Sequence, residues 1–292
     1  MISTKHKLMS AAGTFNRPVY ERIRFLALRG WFPKVGNPRT ITEWLLRKKL
    51  SGNYVRPELS GTIEGYEHVR SVAPDVLLPT VVANFRRSDD CRTVPNVPDG
   101  RYLLKGSHGS GMIRKVTVRH GEWAPSYQEL APVISSWLST DYSVIGGESC
   151  YQSAEKAVLM ERIITRDGDL AVDLKVHCLG GSPKILQMID RRSGTLVRMT
   201  WLVDEHLEMK RVSLYRNDSA NTICQVELGA ISRQALTTSA FLAKDFDYVR
   251  VDFLLADDRL YFGEFTHTPA GGCMPLKDFA ADRYFLEWCG LN

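Results

Sequence analysis

A chain of 292 residues with 44% hydrophobic and 24% charged side chains is ordinary globular material, long enough for one large unit or two to three lobes. No apolar run approaches the ~18 residues of a membrane span; the best stretch, 76–85, is interrupted by Pro79. The charge is uneven: residues 1–60 hold twelve Lys/Arg against Glu21, Glu43 and Glu58, while the whole chain carries +5. A basic lobe on a near-neutral body suggests an acidic partner such as an anionic glycan, or a peripheral contact with a membrane surface. Nucleic acid is disfavoured, because no recognised binding motif and little aromatic interleaving accompany the charge. Six cysteines are scattered without a Cys-x-x-Cys, which argues against a disulfide framework or a zinc site. Leu8 to Ala12 is too short for a signal-peptide core, so a cytoplasmic protein with reduced thiols is expected.

Residues 19–30 place apolar side chains at 19, 23, 26 and 27 with arginines between them, the spacing of an amphipathic helix. Asn37-Pro38 breaks the chain, and Thr40 or Thr42 is placed to cap a second helix through about Lys49, which Gly52 ends. A third helix is predicted at 62–72, before Pro74. Pro98-Asp-Gly turns into a short strand, 101–105, that ends on Lys105. Gly106-Ser-His-Gly-Ser-Gly111 follows at once, with a return strand at 112–118. Glycines leave backbone N–H groups unshielded, so Ser107, His108, Gly109, Ser110 and Gly111 form a loop able to wrap phosphate oxygens. It is neither a Walker loop nor the dinucleotide fingerprint, and a plain hairpin with a small-residue turn fits the same letters. Ser126-x-x-Glu129 is a capping box that opens a helix through Trp137.

A strand at 158–164 carries one carboxylate, Glu161, inside an apolar run, and a buried carboxylate needs a partner. Arg166-Asp-Gly-Asp169 is a turn. Strands at 173–178 and 185–192 flank Gly180-Gly-Ser-Pro-Lys; Asp173 and Lys175 share a face and fit an exposed ion pair as well as a working one. Residues 201–220 show no clear period and read as a loop suited to substrate specificity. Helices are predicted at 232–244 and 277–288. Between them, 249–255 and 260–265 alternate around Asp257-Asp258 and read as a hairpin. Arg250 and Asp252 share one face of its first strand, Glu264 and Thr266 one face of its second. A register that opposes these pairs gathers the oxygen ligands Mg²⁺ favours, one or two carboxylates with other positions left to water and phosphate. A solvated surface hairpin is the alternative. His108 and His267 fit a donor to phosphate or substrate, though a spacer role is commoner; Cys273 would need a histidine such as His267 to act as a nucleophile.

Arg-Val-Asp-Phe, a turn, then Gly-Glu-Phe-Thr-x-Thr-Pro-x-Gly resembles the metal end of ATP-grasp ligases, in its Gly-Glu-x-Thr form the TupA-like branch linked to bacterial surface-polysaccharide synthesis. Asn37-Pro-x-Thr-x-x-Glu43 is similar to the N-terminal signature of the same branch. The resemblance implies an α+β ATP-grasp fold: a basic, mainly helical N-terminal lobe (1–100), a lid (101–160) and a core with the metal site (161–292). It implies ATP and two Mg²⁺ as cofactors, the metals held by Asp252, Glu264 and Thr266, which stands where the family pattern has Asn. Lys105 and the loop from Ser107 to Gly111 would hold phosphates, the hinge at Glu161, Arg162 and Ile163 adenine, and Asp169 the ribose. Lys175, with Arg191 or Arg192, would face phosphate and substrate, and Arg250 would stabilise an oxyanion. The implied activity is ATP-dependent amide formation between a uronic-acid-containing glycan or its precursor and an amino acid or amine. A sugar or polyol kinase, or a binding scaffold without turnover, are the other readings.

Overall fold

The computed structural model describes residues 16–166, 169–191, 196–218 and 229–291, with the backbone alone at 166 and 169. Three helices lead. Helix α1 (Arg17–Arg29) is capped by the Asn16 side chain and closed by Gly30 in the left-handed region. Helix α2 (Ile41–Ser51) is capped by Thr40 and ends at Gly52, φ 67°. Helix α3 spans Thr62–Val72. These ends follow the cap and stop signals in the sequence.

A five-stranded antiparallel sheet comes next, in the order β1-β5-β2-β3-β4. Its strands are β1 (Val81–Phe85), β2 (Gly100–Gly106), β3 (Ile113–Arg119), β4 (Glu122–Ala124) and β5 (Val158–Arg162). Helix α4 (Tyr127–Leu138), opened by the Ser126/Glu129 capping box, lies against this sheet, and the short helix α5 (Tyr142–Gly146) follows. Tyr102, Leu104, Val116, Val118, Val158 and Met160 meet Leu130, Ile134 and Leu138 of α4 in a core that belongs to this sheet alone.

The second sheet has six antiparallel strands in the order β11-β10-β9-β8-β12-β13. A two-residue hairpin, β6 (Thr165–Arg166) with β7 (Asp169–Leu170), connects to β8 (Val172–Leu179) and β9 (Ser182–Asp190). Then come β10 (Val197–Val203), β11 (Met209–Val212), helix α6 (Gly229–Leu242), β12 (Tyr248–Ala256), β13 (Arg259–Thr266) and helix α7 (Phe279–Trp288). Strands β10 and β11 fall partly in the stretch the sequence leaves as a loop. Their pairing, Thr200 to Val203 against Val212 to Met209, takes its order from the neighbouring strand and not from local alternation. The turn between β8 and β9 is Gly180-Gly181 alone, with Ser182, Pro183 and Lys184 already in β9.

Both faces of this sheet are covered over much of their length. One face packs Val176, Met188, Val251, Phe253 and Phe262 against α3 and α6. The other packs Ile185, Leu202 and Tyr248 against Ile41 and Leu45 of α2 and Phe285 and Leu286 of α7. That second face gives way to polar residues along β12: Tyr248 is followed at two-residue steps by Arg250, Asp252 and Leu254. One strand face thus runs from a dry helix–sheet core into a polar cleft.

The basic lobe is less exposed than composition suggests. Lys48 and Lys49 are buried, paired with Asp247 and Glu21, and Arg29 is buried against Asp282 at 3.0 Å. Of the three cations 47–49, only Arg47 faces solvent.

Candidate functional site

The hairpin β12–β13 turns on Asp257 and Asp258, both at positive φ, a two-residue turn that matches strand twist. Its register pairs Arg250 with Thr266 and Asp252 with Glu264. Gly263 is the extra residue of a bulge just beyond; a Cβ there would lie 3.2 Å from the Asp252 carbonyl, so the bulge needs a glycine. On the other side of β12, Lys175 stands opposite Asp252 and His177 opposite Arg250.

These side chains form a closed network. Arg250 donates to both Asp252 oxygens at 2.6 Å, and Lys175 donates to Oδ2 at 2.7 Å. Arg250 also donates to Thr266 Oγ1 at 3.2 Å, and the Thr266 hydroxyl donates to Glu264 Oε1 at 3.4 Å. From the opposing sheet, Lys105 reaches Glu264 Oε2 at 3.3 Å and the Gly263 carbonyl at 3.4 Å. Burial works to raise the Asp252 carboxyl, but Arg250 and Lys175 outweigh it and hold the group at about 2. Burial likewise works against the Lys105 ammonium, and Glu264 and Glu161 reverse the balance and raise it. Both groups are therefore ionised at neutral pH.

A cleft of about 340 Å³ opens over this network, lined by Lys105, Gly109, Ser110, Gly111, Arg250, Glu264 and Thr266. A second, more apolar pocket of about 200 Å³ lies at the hinge, walled by Leu103, Ile163, Ile164, Leu170 and Leu254 with Lys115, Glu161, Arg162, Asp173 and Arg191. Glu161 finds its partner in Tyr66, whose hydroxyl donates at 2.9 Å. Arg191 pairs with Asp173, so the Asp173–Lys175 pair is resolved into two separate contacts. Asp169 lies in β7 with only its backbone described, and Arg192 lies outside the described residues.

Ser107 and His108 turn away from the cleft. The Ser107 hydroxyl donates to the Glu155 carbonyl, and His108 Nε2 contacts the Trp137 carbonyl at 3.0 Å. They anchor the loop that exposes Gly109, Ser110 and Gly111. Gly109 is held against Tyr142, where a Cβ would lie 2.4 Å from the ring. His267 is also buried: it accepts from Ser60 at 3.1 Å and donates to the Val55 carbonyl at 3.1 Å. Lys115, Arg24, Lys49, Glu148, Tyr142 and Thr268 line the pockets without having been singled out in the sequence. Lys115 alternates like any exposed strand residue, and the others come from segments far apart in the chain.

Burial holds two histidines neutral, His267 at about 4 and His177 at about 3. In the unfolded chain they protonate near 6.5. The unfolded state therefore binds more protons below that value, and stability present above pH 6.5 is lost as pH falls towards 4. We expect urea unfolding at pH 5.5 to show about 1 kcal/mol less stability per histidine than at pH 7.5. Equal midpoints at the two pH values would contradict this.

The donor set fits magnesium shared with a nucleotide. Two register-opposed carboxylates and a hydroxyl offer hard oxygen ligands, and among the described residues no group of three or more His, Cys, Asp or Glu could hold a metal alone. Mg²⁺ is commonly bound in that incomplete way, with phosphates and water supplying the rest. The apolar slot at the hinge fits a purine, and Lys105 with the glycine loop fits its phosphates.

Two facing antiparallel sheets, one with a lysine and glycine loop and the other with a carboxylate hairpin, define an ATP-grasp fold. The chain belongs to the TupA-like ATP-grasp family, whose model matches residues 43–287. No curated protein matches it in sequence. Among solved structures it is similar to D-alanine–D-alanine ligase from Helicobacter pylori, at 10% identity over 80% of this chain and 58% of that one, TM-score 0.44. The VanG D-Ala:D-Ser ligase from Enterococcus faecalis gives 12% identity, 80% and 61% coverage, and TM-score 0.42. The ATP-grasp ligase PsnB complexed with minimal precursor gives 12%, 85% and 68%, and 0.40. The chain spans about six tenths of the length of the first two. Among the described residues no helix is long and apolar enough to cross a membrane.

Proposed function

We propose that the chain is an ATP-dependent carboxylate–amine ligase. The observation that carries this reading is the convergence, in one cleft, of Lys105 and the glycine loop from one sheet with Arg250, Glu264 and Thr266 from the other, Asp252 lying buried against Arg250 and Lys175. Lys105 and the 109–111 backbone would hold phosphates. Glu161, Arg162 and Ile163 would border adenine, and Asp169 would lie on the ribose side. Asp252, Glu264 and Thr266 would hold one or two Mg²⁺, which neutralise charge on the phosphate oxygens. ATP supplies the phosphoryl group that turns a carboxylate into an acyl phosphate; an amine then displaces phosphate and leaves an amide.

In that reading Arg250 serves the oxyanion. Its guanidinium is fixed by Asp252 and Thr266, so it reaches a developing oxyanion without reorganising, and a preorganised donor contributes most at the transition state. Lys175 and Arg191, with Arg192, would flank phosphate and substrate. Residues 1–100, 101–160 and 161–292 would serve as basic, mainly helical N-terminal lobe, lid and metal-bearing core. Family membership supports a uronic-acid-containing surface glycan or its precursor as the acid and a cytoplasmic setting where ATP is supplied. Exposed Val19, Ile23 and Phe32 near Arg22 and Lys34 support a peripheral membrane contact by the first lobe.

³¹P NMR of reactions with candidate uronic acids, with and without amines, tests the chemistry. Phosphate release that requires both acid and amine is expected. A stable phosphoester formed without amine would make the chain a kinase instead.

A further inference from the structure

The loop over the cleft holds two kinds of glycine. Gly111 sits in the left-handed region, at φ 80°, where a side chain would strain the backbone. Gly109 does not, so its backbone asks for no special residue. What excludes a side chain there is Tyr142. A Cβ on Gly109 would lie 2.4 Å from Cγ and 2.6 Å from Cβ of Tyr142, the root of that side chain and not its movable end. Gly146 leaves the same kind of room at Cε1 of the ring, where its own Cβ would lie 2.6 Å away. Tyr151 meets the ring at right angles, centroids 5.3 Å apart. The ring is thus wedged between two glycines and a second aromatic.

Its support is equally fixed. Tyr142 opens helix α5, which Arg17 of α1 holds by donating to the carbonyls of Val144 and of Ile145, the latter at 3.3 Å. Arg17 is in turn paired with the buried Glu21 at 3.4 Å. The Tyr142 hydroxyl faces Glu148, a buried carboxylate that accepts from the Thr268 hydroxyl just past the carboxylate hairpin. One side chain therefore touches the loop, stands on a helix anchored to the first lobe, and faces the end of the other sheet.

We propose that Tyr142 is the positioning residue of the phosphate loop: its ring is the template on which residues 109–111 take the shape that meets the nucleotide's phosphates. The inference rests on the nucleotide part of the ligase reading and adds to it a residue that acts through the loop. A free glycine-rich segment has many conformations, and selecting one of them is a cost that binding must offset. Ser107 and His108 already fasten the start of the loop. Packing Gly109 on a rigid ring fixes its middle before the ligand arrives, so less of that cost falls on binding.

The test is calorimetric titration of the full chain with ADP in the presence of Mg²⁺, and with adenosine, which would engage the hinge slot alone. Tyr142→Leu should weaken ADP on the order of tenfold and leave adenosine within about twofold, a split that a change in overall packing would not produce. Tyr142→Phe, which keeps the ring, should hold ADP within about threefold of the parent. Gly109→Ala pushes the loop off the ring and should weaken ADP on the order of tenfold as well, which decides the matter where Tyr142→Leu fails to fold. The proposal is overturned if Tyr142→Leu binds ADP like the parent, if adenosine weakens in parallel with ADP, if the Phe variant is as weak as the Leu variant, or if Gly109→Ala changes nothing. Failure of the parent chain to bind ADP would instead strike the ligase reading.

Discussion

Glu264→Gln is expected to slow nucleotide turnover by roughly 10²–10⁴ at saturating Mg²⁺, the effect of losing ~3–5 kcal/mol of metal assistance. The change keeps the shape of the side chain and removes one negative charge from the hairpin. The structure also separates it from a stability effect. Glu264 is 41% exposed and its contacts with Lys105 and Thr266 are long, so the fold should lose less than ~0.5–1 kcal/mol. Asp252→Asn should be as severe for turnover but not as harmless to the fold. Asp252 is buried and compensates both Arg250 and Lys175, and removing one partner of such a cluster leaves buried charge uncompensated. The double variant should fall well short of the summed losses in turnover, because both residues act through one site. Steady-state kinetics with urea unfolding of the same samples decides it. A Glu264→Gln protein with turnover within about twofold of the parent would remove the metal assignment and the ligase mechanism with it.

The largest stability effect is expected far from the cleft, at Asp282. Its carboxylate is fully buried between α7, α1 and α2; Arg29 donates to it at 3.0 Å, and Thr42 donates through both backbone N–H, at 3.0 Å, and hydroxyl. Burial pushes the carboxyl up against these partners, so the group is held at a disadvantage that only the full set of donors offsets. Asp282→Ala should destabilise the chain by about 3–5 kcal/mol, because it strands the Arg29 guanidinium and two Thr42 donors without water. Replacing both partners, as Arg29→Met with Asp282→Leu, should be much milder, since no buried charge remains. Chemical unfolding of both variants would show it; equal losses for Asp282→Ala and the apolar pair would mean that packing and not charge is at stake.

Much of this architecture is legible in the sequence because local chemistry specifies it. Thr40, Gly52, the Ser126/Glu129 box and the Asp257-Asp258 turn each fix a boundary with backbone needs that few residues meet. The carboxylate hairpin is legible for a further reason: with a period of two, residues 250, 252, 264 and 266 need only one register to converge. What could not be read is set by tertiary partners. Strands β10 and β11 follow an edge order imposed by β9. The cluster of Arg24, Lys49, Glu148 and Thr268 draws on four segments that no local pattern joins. Ser107 and His108 illustrate the converse. A glycine-rich loop suggests that every polar residue in it faces a ligand, yet two of them are spent fastening the loop to helix α4 and to the segment before β5.

The two sheets keep largely separate hydrophobic cores, one under α4 and the other between α3, α6 and the six-stranded sheet, which Leu159 of β5 also enters, and the cleft lies where the sheets face each other. This has a consequence for how such a chain can diverge. Substitutions at Leu104, Val116 or Ile134 repack the core of the five-stranded sheet, and substitutions at Val251 or Phe262 that of the six-stranded one, so lesions in the two walls should largely accumulate without compounding one another's packing defects. Residues that reach across the gap, as Lys105 does to Glu264 and Leu159 does into the other core, are bound to change in step. Inheritance in this fold is thus modular: a lineage can rework one wall of the cleft while the other stays as it was.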